Sequence, residues 1–151
     1  MKILVFSDSH RSLGGMITAV EEHHPDQVIH LGDLQRDAEE LSFAYPTLPV
    51  CMVPGNCDGW TTDPLKRRIT LANKHILLSH GHLWGVKRGY EAAIADARKA
   101  GVDILLFGHT HQAYCQLQDG LWIMNPGASR SSYGIIQIDK GEIQCRVVRL
   151  D

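Results

Sequence analysis

An α/β fold is predicted by three features of the sequence. Strand-like and helix-like segments alternate through the first 53 residues, turn dipeptides join strand pairs near the C-terminus, and 151 residues is the length of one ordinary domain.

Lys2 to Ser7 is a short apolar run, as expected of a strand covered on both faces. Leu13 to His24 follows as a helix ended by Pro25, then Gln27 to Leu31 as a second apolar strand. Asp37 to Ala44 reads as a second helix, and Pro49 to Val53 as a third strand stopped by Pro54-Gly55. This series predicts a parallel sheet. Asp58 to Pro64 is a polar loop carrying Trp60, after which Arg67 to Leu71 and His75 to Ser79 form strands joined by a turn. Gly89 to Ala100 is helical with Gly101 as its C-cap, and Asp103 to Phe107 is another apolar strand. The last third turns antiparallel: Ala113–Gln118 and Leu121–Met124 flank Asp119-Gly120, and Tyr133–Asp139 and Glu142–Leu150 flank Lys140-Gly141. With no repeat, linker or low-complexity stretch, residues 1–151 read as one domain, two packed sheets with helices outside.

Bulk composition narrows the function classes. A net charge of -2 implies no broad basic face for nucleic acid or acidic membranes. No run approaches a membrane span, and Ile3 to Phe6 is too short for a signal-peptide core. Cys51, Cys57, Cys115 and Cys145 lack CxxC spacing, so free thiols in a reducing cytoplasm are expected.

In an open α/β sheet, ligands gather beyond the carboxyl ends of the strands. Five successive strand ends here run into Asp8-Ser9-His10, Gly32-Asp33, Gly55-Asn56, His80-Gly81-His82 and Gly108-His109-Thr110-His111. An Asp after a strand can be a helix N-cap, and Gly-Asn is an ordinary turn dipeptide. Five such segments together point instead to a metal or catalytic cluster. In extended chain, Asp8 and His10 would point one way, as would His109 and His111, so each pair could serve one locus. Glycines 32, 55, 81 and 108 let the backbone turn sharply where a side chain would obstruct. Imidazole, carboxylate and one carboxamide form a nitrogen and oxygen set suited to Mn, Fe, Zn, Co or Ni, without thiolates. Seven ligands are too many for one such ion and suit two ions sharing a carboxylate. Two dications offset by Asp8 and Asp33 leave charge for one hydroxide and one phosphodiester anion.

These segments resemble the calcineurin-like metallophosphoesterase superfamily from residue 8 to about 127, and Gly55-Asn56-Cys57-Asp58 and Asn125-Pro126-Gly127 resemble its small bacterial and archaeal phosphodiesterases. The resemblance implies a four-layer α/β sandwich of two mixed sheets flanked by helices. It implies one ion on Asp8, His10 and His111, a second on Asn56, His80 and His109, and Asp33 bridging them, with Mn the first choice of metal. A hydroxide bridging the ions would then attack a small phosphodiester in line. Many members carry, after Gly-Asn, a His that protonates the leaving group. Cys57 stands there in this sequence, a poorer general acid with a free pKa near ~8.5, or else only a small packing residue.

His82 has two readings, an acid or phosphate contact and an exposed loop histidine. Arg130 is a candidate phosphate contact or a solvated arginine. His30 reads as a residue behind the ligands, Asn125 as a support for neighbouring loops, and Trp60 and Trp84 as candidate substrate walls. His23, His24 and His75 read as structural or exposed. The competing class is a noncatalytic metal-binding interaction scaffold of the same fold, of which a retromer subunit is the precedent. That subunit's line lost key histidines, whereas every expected ligand is kept here. A homo-oligomer is compatible with either reading.

Overall fold

Every strand at the centre of the molecule is apolar on alternate sides, and both sides are covered. A computed structural model describes residues 1–150; Asp151, the last residue of the expected domain, lies outside the described residues. In β1 (Lys2–Phe6), Ile3 and Val5 face one way and Leu4 and Phe6 the other, and all are buried. Leu4 and Phe6 pack under α1 (Leu13–His23) and α2 (Gln35–Ala44), against Met16, Val20 and Leu41. Ile3 and Val5 meet the facing sheet through Ile76, Leu78, Ile104 and Leu106. Complete burial of such a side chain contributes about 1.5–3 kcal/mol, so this inter-sheet layer is the main source of stability.

The first sheet has the order β10-β9-β1-β2-β3, with β2 at Gln27–His30, β3 at Val50–Met52, β9 at Ser132–Asp139 and β10 at Glu142–Arg149. β1, β2 and β3 are parallel, while β9 is antiparallel to β1 and to β10. The second sheet has the order β4-β5-β6-β8-β7, from β4 (Lys66–Leu71), β5 (Lys74–Ser79), β6 (Ile104–Leu106), β7 (Tyr114–Gln118) and β8 (Leu121–Asn125). Its outer face is covered by α3 (Glu91–Ala100), where Ala93 and Ala97 pack on Leu77, Leu105 and Phe107. Two mixed five-stranded sheets with helices on both outer faces make the four-layer α/β sandwich that the sequence predicts.

Two details differ from expectation. The hairpin of β7 and β8 is antiparallel as foreseen, and β8 joins the sheet through a parallel pairing with β6 that the order of segments did not specify. A 3₁₀ turn at His82–Trp84 follows His80, started by Gly81 at φ 112°. It carries Trp84 inward, where the indole N–H donates to Asp96 (3.0 Å); Trp84 is therefore a core residue, not a substrate wall.

The chain leaves β1, β2, β3, β5 and β6 at their carboxyl ends, and the two sheets are tied together there. The His80 ring nitrogen Nδ1 lies 2.8 Å from the Leu31 carbonyl, and the His109 N–H donates to Asp8 (3.0 Å).

Candidate metal centre

The loops after β1 and β6 meet at Gly108. A Cβ on Gly108 would lie 2.0 Å from Ser7 Oγ and 2.9 Å from Asp8 Oδ2, so the two loops touch only because that residue has no side chain. Gly55 makes the equivalent approach to the loop after β2, where a Cβ would lie 2.0 Å from Asp33 Oδ1.

Asp8, His10, Asp33, His109 and His111 all have left-handed backbones, with φ of 52°, 41°, 50°, 71° and 61°. The extended-chain argument for the two pairs is thus corrected: left-handed turns, not strand alternation, converge these side chains. Non-glycine residues in this region are sparse and strained, and such strain concentrates at functional sites.

The convergence forms two groups. Ligating atoms of Asp8, His10 and His111 lie within 4.8 Å of one another, and so do those of Asp8, Asp33 and His80. Asp8 Oδ2 accepts from the Ser7 hydroxyl (2.7 Å) and the His109 N–H. Asp8 Oδ1 is left buried without a partner, 3.2 Å from His111 Nε2, and His10 Nε2 is likewise buried and unpartnered. Asp33 repeats the division. Its Oδ1 accepts the Cys57 N–H (2.9 Å), and its Oδ2 lies 3.4 Å from His80 Nε2. Orphaned buried polar atoms carry a large desolvation cost. A cation would satisfy these, and the nitrogen and oxygen donors present suit a borderline divalent ion. Asn56 is exposed on the loop between Gly55 and Cys57, the two residues that touch Asp33.

Charge follows the same geometry. In Asp33, burial favours the neutral acid, but the bonds from His80 and the Cys57 N–H hold its carboxyl well below the usual carboxylate range. Burial opposes charging of His80, yet the Asp33 bond and the Asp8 and Asp33 charges leave its pKa raised. His109 and His82 are lowered by burial and then by His80, and Lys87 lowers His109 further.

Behind these side chains stands a network that sequence reasoning only partly found. Ser9 Oγ donates to Asp37 Oδ2 (2.5 Å) and lies 3.0 Å from His30 Nε2, while His30 Nδ1 accepts the Gly32 N–H (3.1 Å). Asn125 donates to the Gly108 carbonyl and Thr110 Oγ1, the loop support expected of it. The sequence analysis missed Asp58, whose carboxylate accepts N–H groups from Asp33, Gln35 and Gly55. The signal was its position three residues after Gly55, the same reach back that an acidic side chain makes in a capping box.

His30 gives a pH prediction. Complete burial pushes its pKa down to about 4 from 6.5, despite the Asp37, Asp58 and Asp8 charges. The folded chain keeps it neutral while the unfolded chain protonates near 6.5. The contribution is therefore whole above that pH, falls by about 3 kcal/mol between 6.5 and 4, and changes no further below. Thermal melts of the metal-free protein should show a shallower loss over this window in His30→Gln; identical slopes would refute it.

His82 is half-buried beside the centre. Its ring lies 5.7 Å from that of His80 and 6.1 Å from that of His109, and its Nδ1 is buried without a partner. Arg130 is exposed and makes no side-chain hydrogen bond among the described residues, but it follows Ser129, whose N–H donates to the Ser7 carbonyl (2.9 Å). All four cysteines are free; Cys51 and Cys145 are buried, Cys115 is half-buried and Cys57 is exposed. A groove of about 880 Å³ is lined in part by Arg11, Leu34, Cys57 and Trp60. Trp60 is 91% exposed, so a ligand could use its indole as a wall.

The model of the calcineurin-like phosphoesterase superfamily domain matches residues 1–140. A "probable metallophosphoesterase" of Bacillus subtilis, YsnB, is 34% identical and covers 92% of this chain and 85% of its own. The phosphodiesterase MJ0936 of Methanocaldococcus jannaschii is 26% identical, over 84% of this chain and 83% of its own. Among solved structures, Vps29 of Entamoeba histolytica in complex with zinc superposes with a TM-score of 0.74 at 24% identity, covering 99% of each chain, a likeness of fold.

Proposed function

The chain belongs to the calcineurin-like phosphoesterase superfamily, and from that membership we propose that it is a metal-dependent phosphodiesterase acting on small substrates. One observation carries the reading: Asp8 Oδ1 and His10 Nε2 are buried, unpartnered and turned toward a common locus with His111. In this reading Asp8, His10 and His111 would hold one divalent ion and Asn56, His80 and His109 a second, with Asp33 shared between them. Mn is the metal we favour, ahead of Ni, Zn, Fe and Co. When bound, such ions supply Lewis acidity to the phosphoryl oxygens and make an attacking hydroxide available near neutral pH.

The chain's own groups do the rest. The Leu31 carbonyl engages His80 Nδ1, which leaves Nε2 as the ligating atom. The Ser7 hydroxyl and His109 N–H hold Asp8 in place, and the Cys57 N–H does so for Asp33. We assign His82, whose ring lies beside those of His80 and His109 and whose Nδ1 is buried without a partner, to an acid or phosphate contact, and Arg130 to an outer oxygen of the bound phosphate. The Asp33 hydrogen bond raises the Cys57 thiol, so it stays protonated at neutral pH and is a weak proton donor. Turnover should therefore be slow on alkyl diesters and faster on activated aryl diesters, because a positioned acid is worth about 10²–10⁴ for poor leaving groups. Cys57→His should raise kcat/KM on alkyl diesters by at least about tenfold and change aryl diesters little. An unchanged alkyl rate would count against an acid role at this position.

The likeness to Vps29 favours one other reading, a noncatalytic scaffold that binds metal and a protein partner. Metal content after purification, with aryl diester hydrolysis under Mn, Ni, Zn and Mg, separates the two. Bound metal with turnover supports the enzyme; no turnover with any ion supports the scaffold. Among the described residues no helix is long and apolar enough to cross a membrane.

A further inference from the structure

Two grooves are walled by sequence neighbours of the expected ligands, one by Leu34 and Cys57 and the other by Thr110, and they differ in charge. The larger has Arg11 and Arg36 offset by Glu39, Glu40 and Asp63, with Arg36 paired to Glu40 at 3.7 Å. The second, of about 510 Å³, is lined by Lys87, Arg88, Tyr90, Thr110 and Gln112, with no carboxylate in its wall. Lys87 and Arg88 are exposed and enter no ion pair among the described residues, whereas Lys66 is paired with Asp96 at 2.8 Å. The acid nearest in sequence, Glu91, folds over Gly89 at the groove's edge, with Oε2 2.3 Å from where a Gly89 Cβ would stand, and it forms no ion pair with either cation among the described residues.

The backbone that carries Lys87 and Arg88 is fixed, while their side chains are exposed. Their turn is closed by bonds from Arg88 N–H to the Gly85 carbonyl (2.9 Å) and from Gly89 N–H to the Val86 carbonyl (3.3 Å), and Val86 is buried. Thr110 sits between His109 and His111, so the groove starts at the ligand loop itself. A phosphodiester held at the centre has two arms. The arm that enters this groove meets two cations that form no ion pair among the described residues and the exposed Gln112 amide, which together match a phosphate group.

We propose that Lys87 and Arg88, beside the loop that carries His109 and His111, form a second anion subsite that recognises a further phosphate on one arm of the substrate. The preferred substrates are then phosphodiesters that also carry a phosphate group. This rests on the phosphodiesterase reading, and the test keeps the two apart.

Two thymidine 3′-(4-nitrophenyl phosphate) diesters, with and without a 5′-phosphate, share one leaving group and differ only in the added anion. The Mn-loaded protein should favour the phosphorylated diester by about ten- to a hundredfold in kcat/KM, through KM, as expected for one or two charge-assisted contacts. In Lys87→Ala/Arg88→Ala the ratio should fall to near one, and Lys87→Arg/Arg88→Lys should restore most of it. No preference in the wild type, or a ratio unmoved by the double alanine variant, overturns the subsite. If neither diester is hydrolysed, calorimetric binding of thymidine 3′,5′-bisphosphate against the 3′-monophosphate decides. A bisphosphate preference erased by the alanine variant sustains the subsite while the hydrolytic reading fails, and equal affinities overturn the subsite too.

Discussion

Asp33→Ala is expected to release both metal ions and to lower kcat/KM on aryl phosphodiesters by at least about a thousandfold. Groups that merely orient a metal ligand are worth about 10–100-fold, so losing a shared ligand should cost more. Asp33 Oδ1 is fixed by the Cys57 N–H, and Oδ2 stands 3.4 Å from His80 Nε2, so the side chain is turned to an expected ligand. Two ions without that carboxylate would repel each other across a site whose only remaining buried anion is Asp8. The metal-free variant should stay folded, because relief of repulsion between two buried carboxylates at Asp8 offsets the lost contact with His80. Added Mn should raise the melting temperature of the wild type, by linkage of binding to folding, and leave the variant's unchanged. Elemental analysis after dialysis gives the stoichiometry; two retained ions would refute the bridging assignment.

Much of this site was legible because its chemistry is local to strand ends. The seven residues proposed as ligands follow apolar runs, and glycine beside four of the five segments marks close approach, as Gly55 and Gly108 demonstrate against Asp33 and Ser7. What was not legible depends on conformation and on distant chain. Spacing by two suggested extended pairs, but the left-handed backbones of Asp8, His10, His109 and His111 are set by loops packed from both sheets. The parallel pairing of β8 with β6 is a choice of neighbour that no local pattern encodes, since an apolar strand such as Leu121–Asn125 suits either direction. Trp84 read as a loop aromatic because its partner Asp96 lies on α3, twelve residues away. Asp37 and Asp58 read as ordinary helix and loop acids, because the donors they accept from belong to other segments.

Asp58→Ala should be nearly as damaging as loss of a ligand, although Asp58 is none. Its Oδ2 accepts from Asp33 N–H (2.9 Å) and Gly55 N–H (2.7 Å), and its Oδ1 from Gln35 N–H (2.7 Å). One carboxylate thus holds the loop carrying Asp33 against the loop carrying Asn56. Truncation strands three donors at once. At about 1–3 kcal/mol for each fully buried group, and less here because water can enter this half-buried position, a loss of about 2–4 kcal/mol is expected. With its two loops free to drift, the centre should bind Mn about 10–100-fold more weakly, the usual cost of removing a group that orients metal ligands. Asp58→Asn separates charge from shape. Its one amide oxygen can serve the paired Asp33 and Gly55 donors, but the NH2 then faces the Gln35 N–H, so its loss should be intermediate. Melting temperature and Mn affinity should fall together in the order wild type, Asn, Ala. An alanine variant that matched the wild type in both would show that the Asp33 and Asn56 loops hold their places without this tie.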